Sequence, residues 1–245
     1  MIRRIGVVIP ARDEERLIAD CLDSVARAAA VVSVTVDVVV VADRCRDRTA
    51  AIARESGVEL VELDAGAVGA ARAAGALRAL ELGADWLAHT DADSVVPVNW
   101  LAEQRAAGDE GWDVVLGTIR PRFADLDQAQ IEAWHAVHGR RERPGHVHGA
   151  NLGVRAAAYR AAGGFAPLSE HEDVDLVARL RRIASVTASN AAEVVTSGRR
   201  WGRTAGGFAR YLRDDLIRLA GADAHWMLPA GGAPLDAAAP GSRAS

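Results

Sequence analysis

The chain has 245 residues, half of them hydrophobic, and a formal net charge of −4. A chain of this kind buries a sizeable core, most simply as one α/β domain. It lacks the basic surplus of a nucleic-acid binder, although the local cluster GRRERPGH (Gly139 to His146) offers charge that can meet phosphates. No apolar run approaches the ~18 to 20 residues that a membrane span needs, and the apolar part of the opening MIRRIGVVIP is too short for a signal peptide. The two cysteines, Cys21 and Cys45, form neither a disulfide framework nor a zinc spacing, so free thiols and a cytoplasmic enzyme are expected.

In chain order, short β-branched runs alternate with alanine-rich helical patterns, the sequence form of repeated βαβ units. The runs predict strands at Ile5–Ile9, Asp37–Ala42, Val58–Leu63, Trp86–Thr90 and Val114–Ile119. Leu17, Cys21 and Val25 recur at i, i+4, i+8 after Asp13, which reads as a helix cap. Further helices are expected from Asp47 and from Val68. After Arg120 the pattern is less regular, with helices expected at Asp125–Val137, Arg155–Ala162, Asp173–Ile183 and Thr204–Ala220 and a strand at Val147–Val154. One domain over residues 1–227 is expected, its first half (1–119) facing the ligand and its second (120–227) facing an acceptor. The tail from Leu228 to Ser245, rich in Ala, Gly, Pro and Ser, reads as flexible.

Right-handed crossovers gather the loops after the strands along one sheet edge, where open α/β sheets bind ligands. Four segments fall there. VVIPARDEE leaves the first strand through Pro10, which cannot donate to a central ladder and so marks the strand's end; Asp13 and Glu14 follow, as plain capping groups or as ligand contacts. VVVVADRCRDRTA ends the second strand at Asp43, either a turn aspartate beside an Asp47 cap or an acceptor for a base or ribose. AGAVGAARAAG brings small residues and Arg72, which can pair with phosphate. HTDADS ends the fourth strand with Asp91 and Asp93 one residue apart. Like charges that close repel unless protons or a cation compensate them, and hard carboxylate oxygens suit Mg²⁺ or Mn²⁺ shared with substrate phosphates.

These segments, with HGANLGVRAAAYRAAGGF (His148 to Phe165) and SEHEDVDLVARLRR (Ser169 to Arg182), resemble the family 2 glycosyltransferases in order and spacing, over roughly Ile5 to Arg203. The resemblance implies the GT-A fold, a Rossmann-like, mixed but mostly parallel sheet flanked by helices. It implies metal-dependent transfer of sugar from a nucleotide-diphosphate sugar to a hydroxyl of a small-molecule or lipid-linked acceptor; with no membrane helix after the domain, unlike the large processive polysaccharide synthases, transfer of a single sugar is expected. By match, Pro10, Ala11, Asp13, Glu14, Asp43 and Arg72 would lie at the nucleotide, and Asp91, Ala92 and Asp93 would hold the diphosphate, the two aspartates through Mn²⁺ or Mg²⁺. Asn151 would sit beside the donor sugar, and Glu172 and Asp173 would face the acceptor, Asp173 as the base of an inverting transfer.

The match departs from the family at Arg12-Asp13, where an aromatic-asparagine pair is usual, and at Ser197 to Arg203, where many relatives carry a histidine near the diphosphate. A third protein ligand for the metal is therefore not evident. Arg199, Arg200 and Arg203 either clamp phosphates or solvate a loop. His146 and His148 share a face if their segment is a strand, either for a metal or as an ordinary polar face. Trp86 and Trp134 read as packing residues, and the Thr204–Ala220 helix as one packed on the core or lying on a membrane. Two other functions fit some of these residues. One is a catalytically silent nucleotide-sugar binder. The other is a haloacid-dehalogenase-type phosphatase using DADSV, which lacks the expected lysine and follows the fourth strand instead of the first.

Overall fold

The computed structural model describes residues 1–138, 146–203 and 206–225. The Leu228–Ser245 tail and most of the Gly139–His146 cluster lie outside the described residues. Four parallel strands, β1 (Arg4–Ala11), β2 (Thr35–Asp43), β3 (Glu59–Leu63) and β4 (Trp86–His89), continue through β5 (Ser94–Val95), β6 (Val114–Pro121), β7 (Leu152–Arg155) and β8 (Val186–Thr196) into one eight-stranded sheet, ordered β3-β2-β1-β4-β7-β6-β8-β5. β7 runs antiparallel to both its neighbours and β5 antiparallel to β8; every other pair is parallel. The sheet is thus mixed but mostly parallel, as expected.

Helices cover both faces: α1 (Ile18–Ala30), α2 (Thr49–Glu55), α3 (Val68–Glu81), α4 (Trp100–Asp109), α5 (Gln128–His138), α6 (Ala156–Ala161), α7 (Glu172–Leu180), α8 (Gly207–Arg210) and α9 (Leu216–His225), the last two joined by a π-helical turn. Ile5, Val7 and Ile9 of β1 pack with Ile18, Cys21 and Val25 of α1 on one face, while Val8 packs with Ala76 and Ala79 of α3 on the other. β1 is therefore buried on both sides, which is why its sequence is an unbroken apolar run. Trp86 and Trp134 are buried, as read from the sequence. Trp134 packs with Leu212 and Leu216, so the C-terminal helical stretch sits on α5 through that face. No helix among the described residues is long and apolar enough to cross a membrane.

Several local expectations are corrected. β1 does not stop at Pro10 but pairs through Ala11 with β2. Val8 O accepts the Thr90 N–H at 3.3 Å, so Pro10, two residues on, faces the same side, where the ladder with β4 has already ended at Val8 and His89. No ladder hydrogen bond is lost there. Asp13 is not the cap of α1, which begins after Leu17 without a side-chain cap; a turn in which Glu14 O accepts the Leu17 and Ile18 N–H groups precedes it. The strand expected at Val147–Val154 begins only at Leu152, because residues 149–151 form a 3₁₀ turn. α4, β5 and β8 had no sequence-based expectation.

Candidate active site

The C-terminal ends of β1, β2 and β3 frame an open cleft of about 500 Å³ lined by Arg12, Asp13, Arg44, Cys45, Arg46 and Asp64. The three non-glycine residues with positive φ among those described are Asp13 (52°), Arg44 (55°) and His171 (62°). Two line this cleft and the third immediately precedes Glu172. Such backbone costs on the order of 1–3 kcal/mol per residue and concentrates at functional sites. Asp13 Oδ1 accepts the Arg46 N–H at 2.7 Å, tying the loop after β1 to the loop after β2.

Pro10 and Ala11 form the last two residues of β1, at the edge of this cleft. Asp43, at the end of β2, is buried, and its carboxylate accepts the N–H groups of Ala65, Gly66 and Ala67 at 2.8–3.1 Å. It fixes the loop that leads into α3. Asp47 Oδ1 accepts the Thr49 N–H at 2.9 Å, but α2 starts at Thr49 after Arg48 and has no side-chain cap, so the expected Asp47 cap is instead a turn contact just before the helix. Asp13, Cys45 and Asp47 are the one group of three or more His, Cys, Asp or Glu ligand atoms close enough to share an ion, within 4.8 Å of one another among the described residues. The two carboxylates already accept backbone N–H groups from the Arg12–Thr49 loops.

Asp91, Ala92 and Asp93 follow β4 at the adjoining part of the edge. Two arginines hold the paired carboxylates. Asp91 Oδ1 accepts from Arg72 Nη2 at 2.5 Å, and Asp93 Oδ2 pairs with Arg199. Arg199 also bridges to Glu14 at 2.7 Å, and Arg203 reaches Glu14 at 3.3 Å and the Asp13 carbonyl. The Thr196 hydroxyl donates to Asp93 Oδ1 at 3.3 Å. Burial pushes the Asp93 carboxyl up to about 6, against the pull of Arg199 and with repulsion from Asp91 and Glu14. No third His, Cys, Asp or Glu ligand atom completes a cluster with Asp91 and Asp93 among the described residues.

On the far side of Arg72 lies the start of α7. Arg72 Nε donates to Glu172 Oε1 at 2.9 Å, with both residues buried. Burial raises the Glu172 carboxyl, and Arg72 partly offsets this. Asp173 accepts the Gly149 N–H at 2.6 Å and the Val174 N–H at 2.8 Å. His148 lies near enough to feel Asp173, but burial dominates and pulls its imidazole down to about 4, so it is neutral at pH 7. The His146 and His148 rings stack at 6.3 Å outside any strand. Asn151 is buried with its amide donating to the Thr118 and Ala192 carbonyls at 2.8 Å each and accepting from Trp100 Nε1 at 2.9 Å. Arg199 and Arg203 thus turn inward to the acidic edge, while Trp201 between them is 75% exposed, with Arg213 over its ring.

The fold is similar to that of solved glycosyltransferases. TarS from S. aureus in complex with UDP-GlcNAc superposes with a TM-score of 0.62 at 16% identity, covering 90% of this chain and 66% of that one. A longer TarS chain gives 0.60 at 16% identity, and only 39% of it is covered. Glucosyl-3-phosphoglycerate synthase from Mycobacterium tuberculosis, in complex with Mn²⁺, UDP-glucose and phosphoglyceric acid, gives 0.59 at 19% identity over 89% of this chain and 80% of that one. The chain thus spans about two fifths of the longer TarS chain and about two thirds of the shorter one. No curated protein sequence matches it. The fold is GT-A, and the family model described as Glycosyl transferase family 2 matches residues 6–162, well over half of the chain, so the protein belongs to that family.

Proposed function

We propose that this chain transfers a single sugar from a nucleotide-diphosphate sugar to a hydroxyl acceptor, with inversion and with the help of a divalent metal, in the cytoplasm. The observation that carries the proposal is the placement of Asp91 and Asp93 on one side of the buried Arg72 and of Glu172 and Asp173 on the other. TarS is solved with UDP and with UDP-GlcNAc, and the mycobacterial synthase with Mn²⁺ and UDP-glucose; a donor and metal of the same kind suit the edge described above.

The residues present fit a metal. The second oxygen of Asp91 carries no hydrogen bond among the described residues, and its side chain is 35% exposed. Around the paired aspartates, Glu14, Asp91, Asp93, Glu172 and Asp173 outnumber Arg72, Arg199 and Arg203, so this part of the site holds a surplus of negative charge. Nucleoside diphosphates are anionic and would be repelled without a further cation. Mn²⁺ or Mg²⁺ would be held by Asp91 and Asp93 together with donor phosphates, and once bound offsets charge on the departing diphosphate. Arg199 and Arg203, released from Glu14, pair with the diphosphate oxygens. Pro10, Ala11, Asp13 and the Arg12–Arg44 cleft take the nucleoside, and Asp173 accepts the acceptor's proton.

Titration calorimetry with UDP, GDP and dTDP tests the donor side. The preferred nucleotide is expected to bind roughly 10- to 100-fold more tightly with Mn²⁺ than with EDTA, and Asp93→Ala to abolish the difference. Because the Asp93 carboxyl is pushed up to about 6, protonation competes with the cation, and the metal-dependent gain should shrink as pH falls from 7 to 5. Equal affinity with and without metal at pH 7 would remove the metal from the reading. A catalytically silent binder would show the same gain but release no nucleoside diphosphate from any sugar donor.

A further inference from the structure

Arg72 stands between the two halves of the site. It is 2% exposed, and its Nε holds Glu172 at 2.9 Å while Nη2 holds Asp91 at 2.5 Å. Nη1 is buried and has no hydrogen-bond partner. The guanidinium lies 6.0 Å from the Phe165 ring, which meets His89 edge-on at 5.0 Å. A Cβ at residue 149 would come within 2.4 Å of Nη2, so glycine there makes room for the arginine. The same Gly149 donates its N–H to Asp173 at 2.6 Å. One positive charge therefore serves two carboxylates that have opposite tasks in the reading above. It also abuts the backbone that orients Asp173.

A charge shared in this way is a balance, since tighter pairing with one carboxylate weakens pairing with the other. Glu172, almost wholly buried, has Arg72 as its ion-pair partner. The idle Nη1 leaves the guanidinium a spare donor as it leans to either side.

We infer that Arg72 is a positioning residue that couples donor loading to the acceptor side by dividing its charge between Asp91 and Glu172. When Asp91 engages the donor's cation, Arg72 leans toward Glu172 and firms the first turn of α7, which carries Asp173. In reverse, Glu172 draws Arg72 away from Asp91 and so sustains donor affinity without touching the donor. The inference rests on the donor-site reading of Asp91 proposed above.

Three proteins test it: the unmutated chain, Glu172→Gln, and Arg72→Met with Glu172→Gln. The probe is Mn²⁺ with UDP, GDP and dTDP, read by calorimetry, with melting curves run in parallel. Glu172→Gln should weaken Mn²⁺-dependent nucleotide binding ~5- to 10-fold, a typical coupling between sites, because Arg72 then falls wholly to Asp91. Adding Arg72→Met should restore most of that loss, although the protein then carries one more substitution. The double variant replaces both buried charges with neutral groups of similar length, so it should fold where Arg72→Met alone strands Glu172. A double variant that binds no better than Glu172→Gln, or a Glu172→Gln protein with unchanged affinity, overturns the coupling while leaving the donor site standing. Absence of Mn²⁺-dependent binding by the unmutated chain overturns the donor site and the coupling with it.

Discussion

Asp173→Asn is expected to reduce turnover ~10² to 10⁴-fold, the usual cost of losing a general base, while leaving nucleotide binding nearly unchanged and lowering the melting temperature by only a few degrees, roughly the cost of one backbone hydrogen bond. Both oxygens of Asp173 are aimed by backbone donors, Gly149 N–H at 2.6 Å and Val174 N–H at 2.8 Å. An acid oriented by the main chain stays in place without a side-chain partner and keeps lone pairs for a hydroxyl. Glu172 next to it is disqualified by its surroundings: it is buried, and its carboxylate is engaged by Arg72. Asparagine keeps the size of the side chain and one acceptor oxygen, so the α7 turn should survive, but it cannot take a proton as the acceptor oxygen attacks. The measurement is steady-state release of nucleoside diphosphate with the donor and acceptor found by screening, together with NMR of the product's anomeric centre. A fully active Asp173→Asn protein, or a product that keeps the donor's configuration, would assign the base elsewhere.

The parallel half of the fold was legible because a strand buried on both faces must be apolar at every position, and VVVVA (Val38 to Ala42) admits few other readings. β8 escaped because it has no such run: VTASNAAEVVT lies partly exposed and is broken by the register shift opposite Gly117 and Ile119. α4 begins with Trp100 and Leu101 but carries Glu103, Arg105 and Gly108 with only a weak apolar face, and its burial comes from tertiary contacts. Among site residues, the Asp91 and Asp93 pair could be read because its two charges adjoin in sequence. The groups that neutralise it could not, since Arg199 meets Asp93 across 106 residues and Glu14 across 185. Asp43 shows the opposite limit. Its place at a strand end was predictable, but its use of both oxygens on the Ala65–Ala67 amides depends on how the next loop folds back.

Asn151→Ala should destabilise the protein by about 3–5 kcal/mol, lowering the melting temperature by roughly 10 °C or more for a chain of this size. The register shift between β6 and β8 falls beside Thr118, so the sheet ladder passes over this residue and over residues 190–193. The Asn151 amide fills that gap, donating to the Thr118 and Ala192 carbonyls at 2.8 Å while its oxygen accepts the Trp100 indole at 2.9 Å. Gly117 makes room for it, because a Cβ there would lie 2.2 Å from the Asn151 amide. Removing the side chain strands two carbonyls and an indole N–H in the core, each worth ~1–3 kcal/mol unpaired, with part recovered if a water enters the space. The consequence for the site is indirect: Asn151 pins the turn that presents Gly149 to Arg72 and Asp173. Thermal denaturation followed by circular dichroism decides between this brace and a direct contact with the donor sugar. A brace predicts a large drop in melting temperature with or without nucleotide. A sugar contact predicts an unchanged melting temperature and a loss of affinity confined to the intact nucleotide sugar.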